Sequence, residues 1–169
     1  MAELVTAGKV RAVGVSNFDR EMIEVCAAIR HVDSLQQEFS MLSLQDRGLI
    51  SWCGEQGTGV VTYGPLGFGL LTGTISREAY LSTSDWRRSE EGPFTDERLD
   101  HDFAIVDGLR PIAEDLGVTM GQLALAWNVA SLPVEVSSTF SSDGTAAEAR
   151  AAGARVASMN GGVLSTLTV

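Results

Sequence analysis

Four side chains that could bind a ligand stand at or near the ends of three apolar runs. Ser16 and Asn17 follow the first run, Gln36 lies in the second, and Tyr63 ends the third. Parallel α/β folds bind ligands at the carboxyl ends of their strands, so we expect these side chains at one edge of a sheet. Hydroxyl and amide groups suit a carboxamide or a sugar, and a tyrosine ring can stack on an aromatic ligand. Taken singly, Ser16 and Asn17 could equally cap a helix, and Gln36 could satisfy buried backbone groups.

The segment that follows Tyr63 is rich in glycine. Glycines stand at positions 64, 67, 69 and 73. They would allow backbone N–H groups to approach a phosphate. Gly67 and Gly69 match the start of the dinucleotide-binding pattern G-x-G-x-x-G, but Gly73 comes one residue later than its third glycine. No helix is expected directly after these glycines, so the pattern alone is a weak signal.

Side chains for acid–base or covalent catalysis are scarce. Lys9 is the only lysine, and it precedes its strand, at the wrong end of a barrel for chemistry. His31 and His101 lie beside expected helix boundaries, where solvated or capping roles are typical. Cys26 and Cys53 are too distant for a metal pair, too few for a disulfide framework, and expected on apolar helix faces. The sequence therefore predicts a binding site without a metal and without an evident proton donor.

The elements that must position these residues alternate between strand and helix. Their apolar spacing predicts an α/β fold made of parallel βαβ units. Strands are expected at 10–15, 34–39, 59–63 and 134–138, and helices at 19–30, 44–56, 101–116, 119–131 and 145–156.

Particular residues mark the faces and ends of these helices. Ser43 is expected to cap helix 44–56, and Gly117 to end helix 101–116. Thr119 and Gln122 are expected to begin helix 119–131 as a capping box. Segment 73–100 is rich in Ser, Thr, Gly and charge, and we interpret it as a long lid-like loop. The inward face of the first helix is expected to consist of Met22, Val25, Cys26 and Ile29.

Length and charge set limits on domain number and partners. At 169 residues the chain is expected to form a single domain over 1–169. The 22 acidic and 12 basic residues give a formal charge of -10, which disfavours nucleic acid and membrane surfaces as partners. The chain has no apolar run of about 18 residues and no signal-like start, so we expect a cytoplasmic location.

Three motifs, in this order and spacing, resemble the aldo-keto reductase family. They are Gly8-Lys-Val-Arg-Ala-Val-Gly-Val-Ser-Asn-Phe18, Gln36-Gln-Glu-Phe-Ser-Met-Leu42 and Tyr63-Gly-Pro-Leu-Gly-Phe-Gly-Leu-Leu-Thr-Gly73. Asp85-Trp-Arg87 and Gln122-Leu-Ala-Leu-Ala-Trp127 add to the resemblance, which covers about residues 3–132 and fades beyond Pro133.

The resemblance implies an incomplete parallel (β/α) TIM-barrel-like fold. The chain is similar to the second half of the family's barrel, so its four expected βα units would contain the fifth to eighth strands. The family's catalytic tetrad of Asp, Tyr, Lys and His lies on earlier strands. No residue of this sequence matches it.

The resemblance also implies residues that bind NADPH. By similarity, Ser16, Asn17 and Gln36 would hydrogen-bond the nicotinamide carboxamide, and Tyr63 would stack on the nicotinamide ring. The pyrophosphate would be wrapped by Gly64, Pro65, Leu66 and Gly67.

Two positions and the stretch after the last expected strand, 138–144, differ from the family's cofactor-binding pattern. The family commonly has serine where Gly64 stands, and lysine where Thr74 stands, a cation that Arg87 could replace. Ser142 could donate to a phosphate, but the neighbouring Asp143 would repel one. The resemblance implies NADP as the cofactor, and because of Asp143 NAD is not excluded.

The function implied by the resemblance is reduction of aldehydes or ketones with NADP(H). The chain would supply cofactor-binding residues without the tetrad, so the isolated chain is expected to be inactive or nearly so. An open half-barrel also favours self-association or pairing with a complementary barrel half. The alternatives are a non-catalytic nucleotide-binding or interaction module and an inactive gene remnant.

Overall fold

Three parallel strands form the sheet in the described part of the chain. The computed structural model describes residues 1–82, 84, 86–89 and 92–132. The strands are β1 (Gly14–Ser16), β2 (Ser34–Glu38) and β3 (Gly59–Tyr63), in the order β1-β2-β3. Each is joined to the next through a helix, as in part of a (β/α) barrel. The expected strand 134–138, helix 145–156 and Ser142 lie outside the described residues.

Six α-helices and two 3₁₀ turns accompany the strands in the described part of the chain. The helices are α1 (Ala2–Thr6), α2 (Arg20–Ala27), α3 (Arg47–Glu55), α4 (Arg77–Ser82), α5 (Asp96–Leu116) and α6 (Met120–Ser131). The 3₁₀ turns span Gly67–Thr72 and Trp86–Arg88. None of the described helices is both long enough and apolar enough to cross a bilayer. The expected capping box of Thr119 and Gln122 and the left-handed Gly117 are confirmed.

One face of the sheet is covered by helices and forms the core. Leu35 and Val60 lie opposite each other on β2 and β3, and both are buried. Cys53 of α3 is buried as expected, and burial raises the pKa of its thiol, so it packs as a neutral apolar group. The ring of Phe39 stacks on Trp127 of α6 at 5.3 Å. Alternation along the strands leaves their other face uncovered by these helices.

The inward face expected for α2 is wrong. Met22, Val25 and Ile29 are 50%, 64% and 81% exposed, whereas Ile23 is 2% exposed and Cys26 is partly buried against the core. Two apolar stripes run along this helix, and only one of them can face a single sheet. The helix also ends at Ala27, so Ile29 lies beyond it.

The first strand is shorter than expected, and Ser43 does not cap α3. The Val13 N–H donates to Asp33 Oδ2 at 2.7 Å instead of pairing in the sheet, so β1 begins only at Gly14. Ser43 Oγ accepts a hydrogen bond from Gln45 Nε2 at 2.8 Å, and α3 begins after Asp46.

Segment 73–100 is not one irregular loop. It contains α4, the second 3₁₀ turn and the start of α5, which begins five residues before the expected His101. Buried Tyr80 anchors the segment through its ring contacts with Phe94 at 5.2 Å and Phe103 at 5.8 Å. Few apolar residues hold these short helices in place, which is why composition alone indicated a loop.

Candidate functional site

The end of β1 lies beside the middle of β2. Ser16 is in register with Gln36, and Ser16 Oγ donates to Gln36 Oε1 at 3.4 Å. Both side chains lie on the sheet face that the described helices leave open. No partner within the described residues is found for Gln36 Nε2, so this donor is available to a ligand.

Asn17 is fixed by its backbone and by its side chain. Its φ of 56° lies in the left-handed region, which asparagine tolerates better than most residues. Its backbone N–H donates to the Gln36 carbonyl at 2.9 Å, and its Oδ1 accepts a hydrogen bond from the Tyr63 hydroxyl at 3.0 Å. Its side-chain NH₂ group has no acceptor in the described part of the chain and is a second available donor.

Tyr63 bridges from β3 to the loop after β1. Its Cα lies opposite Glu38 on β2, yet its hydroxyl reaches Asn17 beyond the end of β1. Since β2 is the middle strand, the Tyr63 ring must cross in front of it. The structure thus brings together Ser16, Asn17, Gln36 and Tyr63 at the carboxyl ends of the strands.

A tight turn follows Tyr63 directly. The Gly67 N–H donates to the Gly64 carbonyl at 2.8 Å, which closes the turn around Pro65 and Leu66. Within the described residues, the N–H groups of Gly64 and Leu66 have no acceptor and are free to bind an anion. A Cβ at Gly67 would lie 2.8 Å from Leu42 Cδ1, the end of a flexible side chain, so it is the left-handed φ of 54° that favours glycine there.

The next residues are held by an arginine. Arg87 Nη1 donates to the Phe68 carbonyl at 2.8 Å, and Phe68 has a left-handed φ of 51°. The Phe68 ring meets the edge of Trp86 at 6.1 Å. Arg87 therefore stabilises the loop that follows the turn.

The sequence interpretation missed two features of this edge. Glu38 shares the face of Gln36, which the two-residue alternation of a strand could have revealed. Arg98 of α5 donates to the Leu42 carbonyl at 2.5 Å, and no local pattern indicates this contact across 56 residues. A cavity of about 190 Å³ opens at this edge, with Glu38, Gly67, Phe68, Arg98 and buried Asp102 in its lining.

The groups gathered here suit binding more than proton transfer. Amide donors and the Ser16 hydroxyl match the hydrogen-bonding pattern of a carboxamide, and the Tyr63 ring suits an aromatic group beside it. His101 lies within α5, not beside its start, and is exposed with its Nδ1 3.2 Å from Asp102 Oδ1. Across the described part of the chain, no cluster of His, Cys, Asp or Glu could hold a metal ion.

Comparison with known proteins gives one consistent family. The model of the aldo/keto reductase family matches residues 1–152. An aldo-keto reductase of Schizosaccharomyces pombe, named with NADP(+), is 32% identical over 77% of this chain. Aldo-keto reductase str7 of Strobilurus tenacellus is 34% identical over 79% of the chain. A solved glycerol dehydrogenase from Gluconobacter oxydans superposes with a TM-score of 0.69 and 26% identity over 78% of the chain.

These relatives are longer than this chain. The match covers 39% of the S. pombe protein, 40% of the S. tenacellus protein and 40% of the G. oxydans structure. The chain therefore spans about two fifths of the length of the relatives it matches.

Proposed function

Because the chain belongs to the aldo/keto reductase family, we propose that it binds NADPH across the carboxyl ends of β1, β2 and β3. The observation that carries the proposal is the hydrogen-bonded cluster of Ser16, Asn17, Gln36 and Tyr63. The sequence resemblance singled out the same four residues for the nicotinamide group.

The nicotinamide would be held by groups that have free hydrogen-bonding capacity. The amide NH₂ groups of Asn17 and Gln36 would donate to the carboxamide oxygen, and Ser16 Oγ would accept from the carboxamide nitrogen. The Tyr63 ring would support one face of the nicotinamide ring by stacking. Its hydroxyl bond to Asn17 fixes the ring in place before a ligand arrives.

The diphosphate would be held by the turn after β3. The N–H groups of Gly64 and Leu66 would donate to phosphate oxygens, with Pro65 and Gly67 shaping the turn. Ser142, which lies outside the described residues, would donate to the phosphate of the adenosine part. NADP(H) is the proposed cofactor, and NAD(H) is the alternative that the neighbouring Asp143 keeps open.

The proposed reaction is the reduction of an aldehyde or ketone. Bound NADPH would supply the hydride, while this chain's residues would orient the nicotinamide ring. No residue here matches the family's tetrad, so the proton donor would come from another chain or segment, such as a complementary barrel half. We expect the isolated chain to be inactive or nearly so. The proposed location of the protein is the cytoplasm.

A non-catalytic nucleotide-binding role is the second candidate. It is favoured because the cluster of Ser16, Asn17, Gln36 and Tyr63 contains no lysine, histidine or carboxylate that could assist proton transfer, as the family's tetrad does. Both candidates need the same cofactor site. They differ in whether a partner restores carbonyl reduction.

A binding titration tests the cofactor site directly. NADPH and NADH are titrated into the purified chain while tryptophan quenching is followed and size exclusion monitors the oligomer. We expect saturation by NADPH below millimolar concentration, and a loss of roughly three- to tenfold in affinity for Gln36→Ala from the lost hydrogen bond. Gln56→Ala, an exposed change at the end of α3, is the matched control. No saturation, or equal affinities in all three proteins, would overturn the proposal.

A further inference from the structure

We propose that Glu38 makes the site prefer the oxidised, positively charged nicotinamide over the reduced, neutral one. This inference rests on the proposed function, because it assumes that the nicotinamide stacks on Tyr63. It goes beyond that function by assigning a role to a residue outside the predicted site.

Glu38 lies beside the ring that would support the nicotinamide. It is in register with Tyr63 and shares the open face of the sheet with Gln36. The Tyr63 ring crosses β2 on its way to Asn17, so it passes next to Glu38. Since neighbouring strands are about 4.8 Å apart, the carboxylate can approach a stacked ring to roughly 5–7 Å.

The stem of Glu38 is held close to the turn that follows Tyr63. A Cβ built on Gly64 would lie 3.6 Å from Glu38 Cγ and 3.5 Å from the Phe68 ring. Glu38 itself is only partly exposed and lines the cavity beside Gly67. Its charge therefore sits between the nicotinamide and diphosphate parts of the proposed site.

No cation among the described residues pairs with this carboxylate. Within the described residues Glu38 has no ion pair and no side-chain hydrogen bond. Arg98, the basic residue lining the same cavity, donates to the Leu42 carbonyl and lies 3.7 Å from Asp102 Oδ1. Asp102 adds a second carboxylate to that cavity, so the described side chains that line it carry a net negative charge.

The two redox forms of the cofactor isolate the effect of this charge. They carry the same phosphates and differ by one positive charge on the nicotinamide ring. A carboxylate at about 6 Å in a partly solvated site should favour the charged ring by roughly three- to tenfold. Tighter binding of the oxidised form would also make the bound reduced cofactor a stronger hydride donor, which suits carbonyl reduction.

The test compares affinities for NADP⁺ and NADPH in Glu38→Gln and in the unchanged protein. Isothermal titration calorimetry gives the ratio of the two dissociation constants at low salt. We expect E38Q to weaken NADP⁺ relative to NADPH by at least threefold. Glu55→Gln removes the same charge from an exposed position at the far end of α3 and should leave the ratio unchanged.

A salt series gives an independent measurement on the unchanged protein. Raising KCl from about 50 to 500 mM shortens the screening length to a few ångströms, so the preference for NADP⁺ should shrink at least twofold.

If both cofactors bind and E38Q shifts the ratio no more than E55Q, the inference is wrong while the proposed site stands. If E38Q does not fold, a salt-independent ratio overturns the inference. Failure of the unchanged protein to bind either cofactor overturns the proposed function as well.

Discussion

Asn17 is constrained by the sheet on one side and by Tyr63 on the other. Its left-handed backbone would cost a typical side chain about 1 kcal/mol. The bonds to the Gln36 carbonyl and the Tyr63 hydroxyl offset that cost. The residue thereby links all three strands at the point where the nicotinamide is proposed to bind.

Substitutions at Asn17 separate its backbone role from its side-chain role. We expect Asn17→Ala to be less stable than Asn17→Gly by about 1 kcal/mol, because alanine is strained at this φ. Both variants should lose several-fold in NADPH affinity, because neither has the amide. Urea unfolding and NADPH titration measure the two effects. Equal stability of the two variants would contradict the backbone argument.

Single residues explain why the site was only partly predictable. Ser16, Asn17, Gln36 and Tyr63 stand out in the sequence because each lies in or just after an apolar run. Glu38 has the same alternation signal but was overlooked, since nothing local distinguishes an open sheet face from a covered one. The contact of Arg98 with Leu42 depends on tertiary packing and leaves no local trace.

At the scale of elements, Asp33 joins β1 to β2 just before the strands begin. Its carboxylate accepts hydrogen bonds from the Val13 N–H at 2.7 Å and from Arg30 at 2.5 Å. Its backbone N–H donates to the Val13 carbonyl at 2.9 Å, and its carbonyl accepts from the Gly59 N–H at 3.0 Å. One residue therefore aligns the starts of all three strands.

This arrangement predicts a specific pH dependence of stability. The hydrogen bond from Arg30, and then that from Val13, holds the pKa of Asp33 below its ordinary value of 3.8. A lowered folded pKa stabilises the fold above the ordinary pKa, and this stabilisation is lost as the pH falls through the folded pKa. Asp33→Asn should lower the thermal midpoint by a few degrees at pH 7, and the difference should close below about pH 3.

The control for this prediction is Asp115→Asn, at an exposed position near the end of α5. It should not lower the midpoint, because a carboxylate near a helix C-terminus is unfavourable. If the difference in thermal midpoint between D33N and the unchanged protein stays constant from pH 7 to pH 3, the ionised carboxylate does not have the proposed role.

Strands and helices differed in how well their sequence signals worked. The run Gly59–Tyr63 is compact and β-branched, and its strand is confirmed residue for residue. Helix α5 begins at Asp96 because Leu99 and Asp102 are buried against the rest of the fold. The sequence of its first turn is rich in charge and therefore resembles that of a loop. The face of α2 could not be chosen in advance, because its two apolar stripes are equally regular.

At the scale of the whole molecule, several large apolar side chains of the described residues are exposed. Met22, Val25 and Ile29 form an exposed stripe along and just beyond α2, and Val61 of β3 is 53% exposed on the open face of the sheet. The longer relatives have more than twice the length of this chain. A complementary barrel half or a second copy would cover such a surface.

We expect the purified chain to associate through the α2 stripe. Sedimentation velocity should show species larger than 17.9 kDa that increase with concentration. The double change Val25→Glu with Ile29→Glu should shift the distribution toward monomer, since it places like charges on the stripe. The control is Leu81→Glu, which places the same charge on a 50% exposed leucine of α4, outside the stripe. An unchanged distribution in the double variant would show that the stripe is not the contact.

The strand order described above also bears on when the sheet can form. Each strand pairs with the next strand of the chain, and only 20 residues separate Ser16 from Gln36. Pairings over a shorter separation in sequence form faster than more distant ones, so this strand order allows the sheet to assemble one strand at a time as the chain is made. Helices α5 and α6, made later, would then pack onto strands already in register. Pulse-labelled hydrogen exchange during refolding would detect this order as early protection of the β2 amides.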